Sequence, residues 1–216
     1  FGLEGSRFLI TADGMHQAAF AHDLRVCEEE DTPVTLIGAS FAFVHLLDGL
    51  AEVGTRYYCP EGSRLMDAGG FKTRSRTVTR GELDRLIDDR FEIPAHRSVN
   101  LLGMTELSSQ FYDSVLRDGS AETRHKTNPP WTRTRVLNPA TLEPAELGER
   151  GILWHLDLAN LERPMVIRTD DLGTVDAKGW NILGRIAGAD AKGCSLTLEE
   201  LLQRDRQPEL AALKKV

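Results

Sequence analysis

Residues Val99–Asp113 read VNLLGMTELSSQFYD. The apolar run Ser98–Leu102 has the composition of a β-strand and stops at Gly103, where hydroxyls and one carboxylate gather: Thr105, Glu106, Ser108 and Ser109. In an α/β domain, the carboxyl end of a strand opening into a loop is where ligands are bound. The same residues also read as a strand followed by a helix with Thr105 as its N-cap.

Working upstream, the short apolar runs Arg7–Ile10, Val34–Gly38 and Arg64–Ala68 recur with Ser98–Leu102 at intervals of about thirty residues, the length of a βαβ unit. Between them, Phe43, Leu46, Leu47, Leu50 and Val53 keep helical spacing behind Ser40 as N-cap. Leu83, Leu86 and Ile87 follow Thr79 and Glu82, which form a capping box. The alternation predicts an α/β fold: a parallel, Rossmann-like βαβ sheet from about Gly5 to Asp113, in a subdomain over residues 1–117.

Downstream, Asp118–Pro130 is polar, ends in two prolines and reads as a linker or loop. Strands then alternate with turns: Thr132–Leu137, Gly151–Asp157, Met165–Thr169, Leu172–Asp176 and Trp180–Gly184, with a hairpin turn at Asp176–Gly179. A smaller, mainly antiparallel β subdomain is expected over 130–190, and a carboxy-terminal helix and tail over 191–216, the helix at Leu196–Arg204 and the charged tail after it.

Composition narrows the class. A chain of 216 residues with 41% hydrophobic and 27% charged residues can bury a full core and has no apolar run long enough to span a membrane. Net charge is -7 and the basic residues are scattered, which argues against nucleic acid as a partner; Arg74, Arg76 and Arg80 read as a solvated face. Cys27, Cys59 and Cys194 are odd in number and far apart, matching neither a disulfide framework nor a zinc set. With no secretory segment visible, a reducing, cytoplasmic setting is expected.

Four short patterns carry chemistry. In Asp67-Ala68-Gly69-Gly70-Phe71, paired glycines admit a flat or anionic ligand close to the backbone, or simply make a tight turn. In Gly103-Met104-Thr105-Glu106, a hydroxyl beside a carboxylate can hold phosphate oxygens and a hard cation such as Mg²⁺. In Arg168-Thr169-Asp170-Asp171-Leu172-Gly173, adjacent carboxylates end a strand, suited to the two hydroxyls of a ribose or to an acidic turn. Gly184-Arg185 places a guanidinium at the exit of the last strand. No GxGxxG, GxxxxGK[ST] or GxSxG is present, and the six histidines show no metal-ligand spacing; His45 reads as a core or surface histidine rather than a base.

In this order the motifs resemble the adenylate-forming enzymes, which include acyl-CoA synthetases, phenylacetate-CoA ligases and the acyl-protein synthetases of bacterial bioluminescence (LuxE-type). ASFAFVHLLDGL, DAGGFKTRSR, LLGMTELSSQFYD, RPMVIRTDDLG and KGCSLTLEE look closest to the acyl-protein synthetase branch, over roughly Val34 to Leu202. The resemblance implies ATP and Mg²⁺ as cofactors and assigns roles residue by residue. Gly69 and Gly70 would lie along adenine, while Gly103 opens the loop on which Thr105 and Glu106 serve the phosphates, Glu106 holding the metal. Asp171 would bind ribose with Arg185 beside it. It also implies a fatty or aryl carboxylic acid substrate, a thiol acceptor, and a reductase or acyltransferase as partner; a homodimer is expected separately, from an apolar edge left uncovered where a missing N-terminal part would dock.

Cys194, in Lys192-Gly193-Cys194-Ser195, matches the thiol that carries the acyl group in that branch; a nearby lysine and a following helix are features that lower a thiol pKa, although a loop cysteine is also commonly structural. Two departures stand out. Leu102 replaces the aromatic residue that commonly precedes GMTE, and no glycine- and hydroxyl-rich phosphate loop precedes the first strand, so a carboxy-terminal portion lacking that region is expected. Lys214 or Lys215 reads either as a substitute for the lysine of the mobile domain in larger ligases or as a solvated end. A phenylacetate-CoA ligase-like enzyme, or a domain that binds a nucleotide or partner without chemistry, are the alternative readings.

Overall fold

The chain, described over residues 2, 4–11, 14–69 and 76–186 in a computed structural model, forms its elements in the order β1 (Ile10–Thr11), β2 (Gly14–Met15), α1 (Gln17–Glu29), β3 (Thr35–Ala39), α2 (Ser40–Val53), β4 (Arg64–Ala68), α3 (Arg80–Phe91), a 3₁₀ turn (Ala95–Arg97), β5 (Ser98–Leu102), β6 (Phe111–Tyr112), α4 (Val115–Asp118), β7 (Thr132–Leu137), β8 (Gly151–Asp157), β9 (Val166–Val175) and β10 (Trp180–Arg185). The strand orders are β3-β4-β5-β6 and β10-β9-β8-β7, so an α/β sheet precedes an antiparallel one, the class expected. Two compact units divide between Ser98 and Val99.

In the first unit β3 and β4 pair in parallel, Thr35 opposite Arg64 through Ala39 opposite Ala68. Helix α2 follows β3 directly and buries Phe43, Leu46, Leu47 and Leu50, each worth about 1.5–3 kcal/mol when fully removed from water. Gly54 ends it in the left-handed conformation at φ 70°, the usual glycine stop. Leu65, Leu83, Ile87 and Phe91 complete this core, with Phe20 edge-on to Tyr57 and Phe91. The expected strand Arg7–Ile10 is corrected: only Ile10–Thr11 is extended, and it pairs antiparallel with β2 outside the main sheet. Helix α1 adds an element without a capping side chain, burying only Phe20, Ala21 and Leu24.

The Thr79 hydroxyl accepts a hydrogen bond from the Glu82 amide, as the capping box requires. Thr79→Ala is expected to cost about 1 kcal/mol in urea unfolding, because that amide then loses its partner. Ser40 does not cap α2, whose cap is Ala39. Its hydroxyl is directed to Asp67 Oδ2 at 2.6 Å, with the Ala68 and Gly69 carbonyls at 3.2 and 3.0 Å. The solvated arginine face holds for Arg76, which is exposed, and is corrected for Arg80. Arg74 lies outside the described residues; Arg76 bridges Asp48 and Glu82; and Arg80 pairs with Asp67 and Asp84, which are 1% and 5% exposed, and with Ser98. Linear spacing cannot show that β4 supplies a buried carboxylate to a guanidinium thirteen residues later.

In the second unit β5 pairs antiparallel with β6, Leu102 opposite Phe111, so the sheet is not wholly parallel as expected. The short loop between them cannot make a parallel return, which needs a crossover of a dozen or more residues. β7 and β8 match their expected bounds, but Met165–Thr169 and Leu172–Asp176 prove to be one strand, β9. At the β9–β10 turn Asp176 Oδ1 accepts from the Lys178 and Gly179 amides at 2.7 and 3.0 Å. Leu107, Phe111, Val136, Leu153 and Trp180 form the core. His155 sits between Phe111 and Trp180, and burial pushes its pKa down to about 4 despite Asp157, so it packs as a neutral ring.

Candidate functional site

The GMTE loop lies at the carboxyl end of β5, on the second unit. Thr105 and Glu106 are exposed, and neither packing nor a left-handed backbone requires glycine at Gly103, where an added Cβ would meet only Gln110 at 4.0 Å. Thr105 caps no helix; residues 104–107 make a turn closed by the Leu107 amide on the Met104 carbonyl at 3.1 Å. Leu102 and Met104 are partly buried against the apolar cluster, which anchors the loop where it leaves the strand.

The loop is held from beneath by residues that local sequence reading missed. Asp157, fully buried at the end of β8, accepts from the Ser109 amide at 2.8 Å, the Ser109 hydroxyl at 2.9 Å and the Ala159 amide at 3.0 Å. Trp131 Nε1 donates to the same Ser109 hydroxyl at 2.8 Å. Asn160, 1% exposed, donates to the Glu106 carbonyl at 2.8 Å and accepts from the Ser108 amide at 2.7 Å. Arg163 donates to the Thr105 carbonyl at 2.6 Å. Their sequence, Asp157-Leu158-Ala159-Asn160-Leu161-Glu162-Arg163, carries no signal for this role beyond the end of an expected strand at Asp157.

Asp171 and Arg185 are brought together by two irregularities in the sheet. Between the pairs Ile152–Leu172 and Trp154–Arg168, Leu153 of β8 faces Thr169, Asp170 and Asp171 of β9. Thr169 closes this bulge, donating to the Leu153 carbonyl at 2.9 Å and accepting from the Asp171 amide at 3.0 Å. The acidic pair thus lies at a mid-strand bulge, correcting the expectation that it ends a strand. On β10, Leu183 is the extra residue between Ile182 and Gly184, and Gly184 adopts φ 143°, which L side chains rarely take. That shift sets Arg185 opposite Asp171; one residue out of register, its side chain would leave on the other face.

Arg185 Nε stands 3.3 Å from Asp171 Oδ1, and Nη2 3.4 Å from Asp170 Oδ2. Burial raises the Asp171 pKa; Arg185 opposes this, while Asp170 and Glu106 add to it, so the net direction is upward. Glu106 therefore acts on Asp171 through its field. The second unit thus gathers Thr105, Glu106, Asp171 and Arg185: a hydroxyl, two carboxylates under mutual repulsion and one guanidinium. Such a set repels a bare cation less than it attracts one, and suits a ligand carrying both hydroxyls and a metal-bound phosphate.

Gly69 lies on the first unit at φ 83°, a backbone that favours glycine, with no neighbour within 4 Å of an added Cβ. Gly70 and Cys194 lie outside the described residues, as do the expected helix Leu196–Arg204, Lys214 and Lys215. Among the described residues no group of three His, Cys, Asp or Glu could hold a metal ion. One carboxylate, Glu106, fits Mg²⁺ nonetheless, because that ion is commonly held by one or two carboxylates together with substrate phosphates. Among the described residues no helix is long and apolar enough to cross a membrane.

The family described as Acyl-protein synthetase, LuxE, matches residues 5–203. Two long-chain-fatty-acid–luciferin-component ligases are similar: that of Vibrio harveyi is 24% identical over 89% of this chain and 52% of its own length, and that of Aliivibrio fischeri 27% identical over 80% and 47%. The chain therefore spans about half the length of these curated relatives. Among solved structures, a long-chain-fatty-acid-CoA ligase from Archaeoglobus fulgidus superposes with a TM-score of 0.54 at 16% identity, covering 80% of this chain and 37% of that one, a likeness of fold. The expectation of a carboxy-terminal portion without the phosphate-loop region is overturned. The family match runs from residue 5 over both the α/β and the antiparallel parts, and takes in the region that bears the loop. Composition was a poor marker, since phosphates are cradled by backbone N–H groups that nearly any residue supplies.

Proposed function

This chain belongs to the acyl-protein synthetase (LuxE) family, and on that premise we propose that it takes part in ATP-dependent activation of a long-chain fatty acid. The substrate carboxylate attacks the α-phosphorus of ATP, the α–β phosphoanhydride bond breaks, and pyrophosphate leaves with the acyl adenylate retained. A thiolate then attacks the acyl carbon, forming a thioester and releasing AMP. Asp171 accepts the ribose hydroxyls, Arg185 orients that carboxylate, and Thr105 and Glu106 serve the phosphates, Glu106 as the ligand of Mg²⁺. The ion supplies positive charge to the phosphate oxygens; the chain's own part is to hold them in line by fixed hydrogen bonds and charge.

The observation that carries this reading is the pairing of Asp171 with Arg185, which two bulges set, on the unit that also carries Glu106, whose charge acts on Asp171. The fatty acid rests on the names of the two relatives. Exchange of labelled pyrophosphate into ATP by the full-length protein tests it. Exchange dependent on a long-chain fatty acid is expected; exchange with phenylacetic acid alone would move the reading to an aryl-CoA ligase, and none with any acid would end it.

Cys194 is proposed as the thiol that receives the acyl group, for transfer to a reductase or acyltransferase partner. Cys194→Ser is expected to abolish hydroxylamine-labile labelling by radioactive fatty acid while pyrophosphate exchange continues. Undiminished labelling would assign the thioester to another thiol.

A further inference from the structure

The segment from Asp157 to Pro164 touches the GMTE loop at the backbone atoms that flank Glu106, and Asn160 binds it on both sides of Leu107. Its Nδ2 donates to the Glu106 carbonyl at 2.8 Å and to the Pro164 carbonyl at 3.1 Å, and its Oδ1 accepts from the Ser108 amide at 2.7 Å. A primary amide matches a peptide group in shape and offers donor and acceptor side by side, so it can close a loop as a strand partner would. At 1% exposure these bonds face little competition from water, and the fit is set by the protein. Arg163, from the same segment, adds its bond to the Thr105 carbonyl at 2.6 Å.

We propose that Asn160 is a positioning residue for metal-bound nucleotide: it fixes the peptide plane of Glu106, and hence where the Glu106 carboxylate meets Mg²⁺ on the phosphates. The inference rests on the functional reading above. Errors in such placement are costly, because magnesium demands near-ideal octahedral geometry and the backbone sets where the Glu106 side chain starts. Asn160 touches no reacting atom; its effect passes through the backbone of Glu106. Arg163 supports the adjoining residue from the solvent side.

The test is calorimetric binding of ATP to the full-length protein with and without Mg²⁺. Asn160→Asp keeps size and the Ser108 contact but turns a carboxylate toward two carbonyl oxygens. It is expected to weaken binding of MgATP about tenfold while leaving metal-free ATP within twofold, so that the gain from magnesium shrinks. A purely structural role would lower both affinities or the folded fraction together and leave the ratio unchanged, which would overturn the proposal. If Asn160→Asp does not fold, Asn160→Ser, which removes the bond to the Glu106 carbonyl without burying a charge, decides by the same ratio, an unchanged gain from magnesium again refuting it. Wild-type protein that binds no MgATP would instead defeat the functional reading, a distinguishable outcome.

Discussion

Asp113→Ala is expected to destabilise the protein by about 3–5 kcal/mol, the range found when one partner of a buried ion pair is removed. Asp113 Oδ1 lies 2.8 Å from Lys126 Nζ and Oδ2 lies 2.5 Å from Arg124 Nη1, while the same Oδ2 accepts from the Asn100 amide at 3.0 Å. Lys126 is 5% exposed and also donates to the Asn100 carbonyl and side chain at 2.6 and 2.7 Å. Without the carboxylate, two cations keep their desolvation cost and lose the charge they share. Urea unfolding at neutral pH measures the loss, and a change below about 1 kcal/mol would show that water or rearrangement compensates.

The same cluster has a pH signature. Burial by itself would raise the Asp113 pKa, but the Lys126 ammonium and the Arg124 guanidinium outweigh it and hold the carboxyl below its ordinary range. A carboxyl lowered in the native state binds protons more readily when unfolded. Its stabilisation is therefore present above the unfolded pKa and lost as pH falls through the native one. In wild type this contribution fades only in acid, below the usual carboxylate range; in Asp113→Ala it is missing at every pH.

Glu106→Gln is expected to lower the pyrophosphate-exchange rate by about 10²–10³, the effect of removing one fixed electrostatic group from a transition state in which charge is redistributed. The change is nearly isosteric, and Glu106 is exposed with its carbonyl, not its carboxylate, bound by Asn160. The fold should be untouched, so a thermal midpoint equal to wild type must accompany the loss. The field of Glu106 also raises Asp171, and its removal lets the Asp171 carboxyl ionise at lower pH. An unchanged rate would take the metal-ligand role from Glu106 and leave it a loop residue.

Much of the fold is local and so is legible in the chain. β4, β5, β7 and β8 begin and end where apolar runs meet turn residues, and Thr79 caps α3 because a hydroxyl three residues before a free amide finds it without help from elsewhere. The chain order GG, GMTE, RTDDLG, GR marked the family that residues 5–203 match. Long-range choices were not legible. Arg80 reads as one of three surface arginines until β4 places Asp67 against it, and Ser40 reads as a cap until the same carboxylate draws its hydroxyl away. β6 turns antiparallel because its loop is too short to cross, a limit of chain length rather than of composition. Asp157 lies on the buried face of β8 and Asn160 just beyond it, but their partners lie about fifty residues earlier in the chain, which no local pattern reveals. Local propensity thus decided which segments became strands and helices, since neighbours in sequence satisfy those backbones. The tertiary structure alone decided the site, because the register shifts at Leu183 and Leu153 that bring Arg185 to Asp171, and the buried side chains that hold Glu106, depend on pairings between strands, which no single segment encodes.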